Sequence, residues 1–259
     1  MNLFVFDIET VPDVTAGRLL YQLEDLDDRG VADVMFYKRK QESGGSDFLR
    51  HHLHRIVAIS VVLRTSDRVR VWSLGEPDSA EEDLIRRFFD GIEKFSPVLV
   101  SWNGSGFDLP VIHYRSMLHG IQAPRYWDVG DDDREFKWNN YLSRYHQRHT
   151  DLMDVLSAYQ PRAAVRLDEL ATRLGFPGKM GMSGAHVWDS YLRGEVEGIR
   201  NYCETDVMNT YLLYLRYDLI RGHLNPYEYE QACAELRELL EQEERPHFTE
   251  FLQAWRKPD

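Results

Sequence analysis

The stretch that most constrains the fold is residues 2–10, NLFVFDIET, which is apolar at consecutive positions and then becomes acidic. Apolar residues at both odd and even positions predict a strand buried on both faces, as at the centre of an α/β sheet. Strand side chains alternate between faces, so Asp7 and Glu9 should lie on one face, a few ångströms apart. Two such carboxylates need a shared proton or a cation, and Mg²⁺ or Mn²⁺ suits oxygen ligands. In the alternative interpretation the strand ends in solvent and both acids are exposed.

The charge of the chain limits how it could bind nucleic acid. Its 259 residues have a formal net charge of -12, which disfavours a protein that grips nucleic acid mainly by charge. An enzyme that holds a few phosphates through metal ions and a local basic patch remains compatible with that charge. We expect no membrane association, because no apolar run approaches the roughly 18 residues of a membrane span, and no signal-peptide pattern is present. The two cysteines, Cys203 and Cys233, are expected to be free thiols in a reducing cytosol, which predicts a cytoplasmic protein.

The distribution of strands and helices predicts an α/β fold: a mixed sheet with helices on both faces. Residues 55–63 are rich in β-branched side chains and residues 68–74 alternate, so together they predict a hairpin. A helix follows from Ser79, then an apolar strand over residues 97–102. Three consecutive strands followed by a strand after a helix are typical of a mixed sheet.

The second half of the chain is predicted to be mainly helical. We predict one domain over residues 1–217, in which residues 13–50 form a helical and loop insertion, and a C-terminal extension over residues 218–259. The extension is rich in glutamate, which indicates a solvated acidic helix. It would dock through Leu236, Leu239 and Leu240.

Two further motifs place carboxylates where a site could form. Asp108 follows a strand and a turn, at the carboxyl end of the predicted sheet, where ligands commonly bind. Asp108 could equally be the N-cap of the next helix. Tyr202 and Asp206 are spaced i, i+4 and so share one helix face, although an exposed Tyr–Asp pair would have the same spacing.

Three motifs in order resemble those of the DEDD superfamily of 3'-5' exonucleases, which has a ribonuclease H-like fold. They are FDIET at residues 6–10, NGSGFD at residues 103–108 and YCETD at residues 202–206. The resemblance covers residues 1–217 and is closer to stand-alone predicted exonucleases related to the proofreading domain of family B DNA polymerases. Asn201 stands where the histidine variant would have histidine, whereas Tyr202 matches the tyrosine (DEDDy) variant.

The resemblance implies an enzyme that hydrolyses phosphodiester bonds at the 3' end of single-stranded DNA and releases 5'-mononucleotides. It implies two divalent cations, Mg²⁺ or Mn²⁺, as cofactors. Asp7 would bridge both ions, Glu9 and Asp206 would hold one, and Asp108 would hold the other. The pKa of an unperturbed phenol is about 10, which is too high for a general base at neutral pH. Tyr202 is therefore expected to position the attacking water.

Substrate contacts and substrate class are less constrained by the sequence. By the resemblance, Thr10, Asn103 and Phe107 are candidate contacts to the terminal nucleotide. Lys179 is a candidate phosphate contact, with an ordinary exposed loop lysine as the alternative. Residues 134–149 interleave basic and aromatic side chains, which predicts either a groove for a single strand or a packed helix with a basic face. Two alternative functions stay open: an exoribonuclease, because nothing visibly reads the 2'-hydroxyl, and an inactive nucleic-acid-binding domain.

Overall fold

A five-stranded mixed sheet forms the centre of the computed structural model, which describes residues 2–255. The strands are β1 (Leu3–Pro12), β2 (His54–Arg64), β3 (Val69–Ser73), β4 (Val98–Ser101) and β5 (His149–Asp151). Their order is β3-β2-β1-β4-β5. The central strand β1 pairs antiparallel with β2 and parallel with β4.

Helices cover both faces of this sheet. They are α1 (Val14–Tyr21), α2 (Asp28–Ser43), α3 (Glu81–Phe95), α4 (Asp108–His119), α5 (Pro124–Trp127), α6 (Leu152–Leu156), α7 (Leu167–Arg173), α8 (Gly184–Leu192), α9 (Val196–Ile220), α10 (Pro226–Glu243) and α11 (Pro246–Ala254). Within residues 2–255, no helix combines the length and apolar character needed to cross a bilayer.

The two faces of β1 are buried against different helices. Leu3 and Val5 belong to the core that includes α9 and α10, whereas Phe4, Phe6 and Ile8 belong to the core that includes α3 and α4. Burial of consecutive residues explains why the strand is apolar at both odd and even positions. The prediction of a central strand in an α/β, ribonuclease H-like sheet with helices on both faces is therefore confirmed.

The fifth strand was not predicted from the sequence. β5 has three residues, pairs parallel with β4 through Thr150 and Val100, and lies where the sequence predicts the start of a helix. The packed-helix alternative for residues 134–149 is wrong, because only Arg134–Lys137 forms a short 3₁₀ turn. Phe136 and Tyr141 are buried in the core and hold this irregular segment in place. The chain between them has no helical repeat.

The predicted insertion and extension both carry helices. Residues 13–50 contain α1 and α2, which pack around a small cluster that includes Val31 and Met35. After residue 218, Leu236 and Leu240 are buried in the same core as α9. The boundaries between domain, insertion and extension stay predictions.

Candidate active site

The first two carboxylates lie at the carboxyl end of β1. Asp7 is opposite Ser60 and Glu9 opposite Ala58 in the pairing with β2, and the register shifts between Glu9 and Thr10. A shift of this kind is a β-bulge, which re-aims side chains and is common beside active sites. Glu9 is only 8% exposed, so the interpretation in which both acids point into solvent is wrong.

Helix α9 delivers the third motif to the same place. Its residues Ile199 and Cys203 pack in a cluster with Val11 at the end of β1. The Cys203 thiol lies 3.4 Å from the backbone carbonyl of Asp7, which places this helix face directly against the strand. Tyr202 and Asp206, one turn apart, therefore face the carboxylates of β1.

Asp108, the first residue of α4, comes from the other side. Its Oδ1 accepts a hydrogen bond from the backbone N–H of Ile8, at 3.2 Å, so the carboxylate is fixed beside β1. The preceding loop is held by Asp151, whose two carboxylate oxygens accept the N–H groups of Asn103 and Ser105, each at 2.9 Å. The alternative in which Asp108 is the N-cap of this helix is wrong, because the N-cap is Phe107 and the Asp108 carboxylate is bound to β1.

These carboxylates form a cluster suited to a divalent cation. Oxygens of Asp7, Glu9 and Asp206 all lie within 4.8 Å of one another. Asp108 is not in that set, but its charge is close enough to raise the pKa of Asp7 and of Glu9. Among the described residues, no Lys, Arg or His forms an ion pair with these acids. Clustered oxygen ligands without an ion-pair partner fit a hard cation, which is the chemistry of a metal centre.

Burial sets the titration of the cluster. It raises the pKa of Asp7 and Glu9 well above the ordinary carboxyl range, and the neighbouring carboxylates raise it further. Burial also raises the pKa of Asp108 to about 7 and that of Asp206 to about 6. Without a cation, folding therefore holds protons at this site that the unfolded chain would release.

Without divalent ions, we expect the protein to lose thermal stability between about pH 5 and about pH 8. Carboxyl groups whose pKa is raised on folding contribute their full stability at low pH, and this contribution is lost as the pH rises through about 6 to 7. A divalent ion reverses the loss because it binds the ionised, folded site. Mn²⁺ at about 100 times its dissociation constant should raise the melting temperature by about 5–10 °C, measured by calorimetry at both pH values.

Two variants make this expectation specific. Asp7→Asn should remove most of the Mn²⁺-induced rise and flatten the pH dependence, because it removes one charge of the cluster. The exposed Asp131, replaced in the same way, should behave as the wild type. An equal rise in wild type and Asp7→Asn would contradict a metal at this site.

The predicted substrate contacts line two adjoining cavities. Asn103, Phe107 and Lys179 border a cavity of about 370 Å³ together with Asp108 and Asp206. The side chain of Asn209 hydrogen-bonds both the N–H and the carbonyl of Gly178, which fixes the loop that carries Lys179 onto α9.

Thr10 lies in the second cavity, of about 580 Å³, which is bordered by Glu9, Phe48 and Phe107. The Thr10 hydroxyl is 2.9 Å from Nδ1 of His54. Phe107 borders both cavities, of which the first contains Asp7, Asp108 and Asp206 and the second contains Glu9. Their roles in binding stay predictions.

Sequence reasoning missed three residues of the site. Arg166 donates two hydrogen bonds to the Asp168 carboxylate, each at 3.0 Å. Both residues border the cavity of about 370 Å³ that contains Asp206, which is the candidate catalytic cavity. Besides burial, the charge of Asp168 raises the pKa of Asp206. Their sequence context offers no signal beyond an ordinary helix start. Asp151 precedes the apolar residues of α6, a pattern that could have identified it as an N-cap.

The fold and the carboxylate cluster together define a ribonuclease H-like nuclease. The chain belongs to the family described as predicted 3'-5' exonucleases related to the exonuclease domain of PolB, which matches residues 46–255. It is therefore assigned to a class of hydrolases, the exonucleases. The matched range contains Asp108, Tyr202 and Asp206, whereas Asp7 and Glu9 precede it and join the site through the structure.

The chain is also similar to parts of several curated DNA polymerases. The catalytic chain of DNA polymerase epsilon from Saccharomyces cerevisiae is 28% identical over 148 residues, which are 54% of this chain and 6% of the polymerase. A DNA polymerase of Archaeoglobus fulgidus is 26% identical over 161 residues, 61% of this chain and 19% of that protein. DNA polymerase 1 of Sulfurisphaera ohwakuensis is 32% identical over 71 residues, 27% of this chain and 8% of that protein. The chain thus matches only a small part of each of these polymerases.

Proposed function

We propose that this protein hydrolyses single-stranded DNA from its 3' end and releases 5'-mononucleotides, with two divalent ions, Mg²⁺ or Mn²⁺, as cofactors. The observation that carries the proposal is the meeting of Asp7, Glu9 and Asp206 within 4.8 Å in a chain of the exonuclease family. DNA is favoured over RNA because the curated relatives are DNA polymerases.

Each carboxylate would have a distinct part in holding the ions. Asp7, whose pKa is raised by burial and by the charges of Asp108, Glu9 and Asp206, would be shared by both ions. Glu9 and Asp206 would hold one of them, and Asp108, fixed through Ile8, would hold the other. These residues would hold the ions where the ions, when bound, would supply activation of the attacking water and stabilisation of the leaving oxygen.

The presence of Tyr202 favours the tyrosine variant of the superfamily. Burial, together with the charges of Asp206 and Glu9, raises the pKa of Tyr202 above its usual value. Its hydroxyl therefore stays protonated and cannot serve as a general base. It can hydrogen-bond the attacking water and align it without taking up a proton.

The adjoining cavities supply the binding groups for the terminal nucleotide. Phe107 and Phe48, whose ring centroids are 5.4 Å apart, offer aromatic faces for a nucleobase beside Glu9. Thr10 and Asn103 offer polar contacts to the sugar. Lys179, exposed at the rim of the catalytic cavity, supplies a positive charge for a phosphate.

The test of polarity and strandedness uses 5'-labelled and 3'-labelled oligonucleotides. With Mn²⁺, a 5'-labelled single strand should shorten to a ladder, whereas a 3' label should appear at once in mononucleotide. Blunt duplex should be cut more slowly, because fraying costs about 1.4 kcal/mol per base-pair step, which is about tenfold in rate for each pair opened. Gel analysis of single strands, 3' overhangs and blunt duplexes measures this order.

Three outcomes would contradict the proposal. Shortening from the 5' end would reverse the polarity, and cleavage of circular single-stranded DNA would show an endonuclease. Faster hydrolysis of a matched RNA would assign the enzyme to RNA. If no nucleotide were released across a titration of Mg²⁺ and Mn²⁺, the protein would be a nucleic-acid-binding domain without nuclease activity.

A further inference from the structure

A third cavity lies at the edge of the sheet. It has a volume of about 590 Å³ and is bordered by all three residues of β5, which is an edge strand of the sheet. Ser105 borders it at one end, and Val98 and Arg221 border it at the other. The neighbouring Trp102 and Asn103 border the catalytic cavity, so one loop separates the two. This edge groove therefore begins beside the carboxylate cluster and follows β5 for about 10 Å.

The side chains of the edge groove combine rings and positive charge. Tyr145 is 81% exposed. An exposed tyrosine ring contributes little to stability unless it packs against a binding partner. Arg144 lies over the ring of Tyr159, with its Cζ 4.5 Å from the ring centroid, and Arg221 lies 4.8 Å over Tyr217. Guanidinium groups held by rings are pre-positioned to meet phosphates, while exposed rings can stack on bases.

The acidic residues nearby offset only part of this charge. Both oxygens of Asp151 accept backbone N–H groups. Asp218 forms an ion pair with Arg221, and its Oδ1 lies 3.4 Å from Nδ1 of His223. Arg144 forms no ion pair among the described residues. Asp154 also borders the edge groove. Its negative charge would repel an anionic ligand.

We propose that the edge groove binds the substrate strand behind its 3'-terminal nucleotide, with Tyr145 stacking on a base and Arg144 and Arg221 contacting phosphates. This inference rests on the proposed function for the identity of the ligand. The volume of the groove matches the size of pockets that take one small organic ligand, which corresponds to one nucleotide unit or slightly more. The edge groove thus makes hydrolysis depend on the length of the strand.

The test compares a dinucleotide with a single strand of about 12 nucleotides in the full-length protein. Tyr145→Ala and Arg221→Ala should each lower kcat/KM on the long strand by about tenfold and leave the dinucleotide unchanged. Asp154→Asn should raise kcat/KM on the long strand a few-fold. Trp138→Ala is the matched control, because Trp138 is an exposed ring of the same segment, 76% exposed, that does not border the groove.

The outcomes separate this inference from the proposed function. The edge-groove proposal would be overturned if Tyr145→Ala and Arg221→Ala kept wild-type rates on the long strand. It would also be overturned if both substrates lost rate equally. The proposed function would still hold in either case, provided that the wild type releases nucleotides. If the wild type released no nucleotide, fluorescence anisotropy of a labelled single strand in EDTA would replace the rate. Weaker binding in both variants but not in Trp138→Ala would then support the edge groove, and unchanged binding would overturn it.

Discussion

Replacing Asp7 with alanine is expected to lower nucleotide release by at least about 10³-fold. Asp7 is the carboxylate that the other three surround, since the charges of Asp108, Glu9 and Asp206 all act on it. Its loss would remove the shared ligand of the proposed ions. Metal ions supply several kcal/mol of transition-state stabilisation. Each loss of about 1.4 kcal/mol lowers the rate about tenfold. Single-turnover release of labelled mononucleotide with Mn²⁺ measures the effect.

Loss of activity must be separated from loss of folding. Because the cluster is repulsive without a cation, Asp7→Ala should melt no lower than the wild type in EDTA at about pH 8. Asp206→Ala should behave in the same way, and Asp131→Ala should keep full activity. An active Asp7→Ala enzyme would remove this residue from the site.

The sequence predicted β1 and its acids correctly because their signals are local. A strand buried on both faces needs consecutive apolar residues, and a side-chain period of two places Asp7 and Glu9 together whatever the rest of the chain does. The Tyr202–Asp206 face follows equally directly from the helical repeat. In each case one element carries the whole pattern.

Features that depend on several elements could not be predicted. β5 is only three residues long, which is too short to give a strand pattern of its own, and it is a strand because it pairs with β4. The side chain of Asp151 supports a loop nearly 50 residues earlier in the chain. Contacts of that sequence separation leave no local pattern.

Glu204 shows how a motif can mix functional and structural residues. It lies between Tyr202 and Asp206 in the sequence but points away from the cavity, and it accepts hydrogen bonds from Ser73, Arg245 and His247. Arg245 and His247 belong to the segment that the sequence separates as an extension. This buried network holds α9 from behind, so the C-terminal helices help to fix the face that carries the site.

Replacing Tyr202 with phenylalanine is expected to lower kcat by about 10²-fold while leaving melting temperature and Mn²⁺ affinity unchanged at about pH 8. The ring would stay packed in its cluster beside Cys203 and Trp188, so only the hydroxyl is removed. Because burial raises the pKa of Tyr202, the hydroxyl stays protonated and acts only through hydrogen bonds. The pH dependence of kcat should therefore keep its shape as its height falls, measured under single-turnover conditions.

Tyr191→Phe supplies the matched control for this prediction. Tyr191 packs in the same cluster, with its ring stacked on Trp188 at 6.0 Å, but it does not border the catalytic cavity. Its variant should retain wild-type kcat. Full activity of Tyr202→Phe would exclude the hydroxyl from positioning the water, and a changed pH profile would show that it exchanges a proton during the reaction.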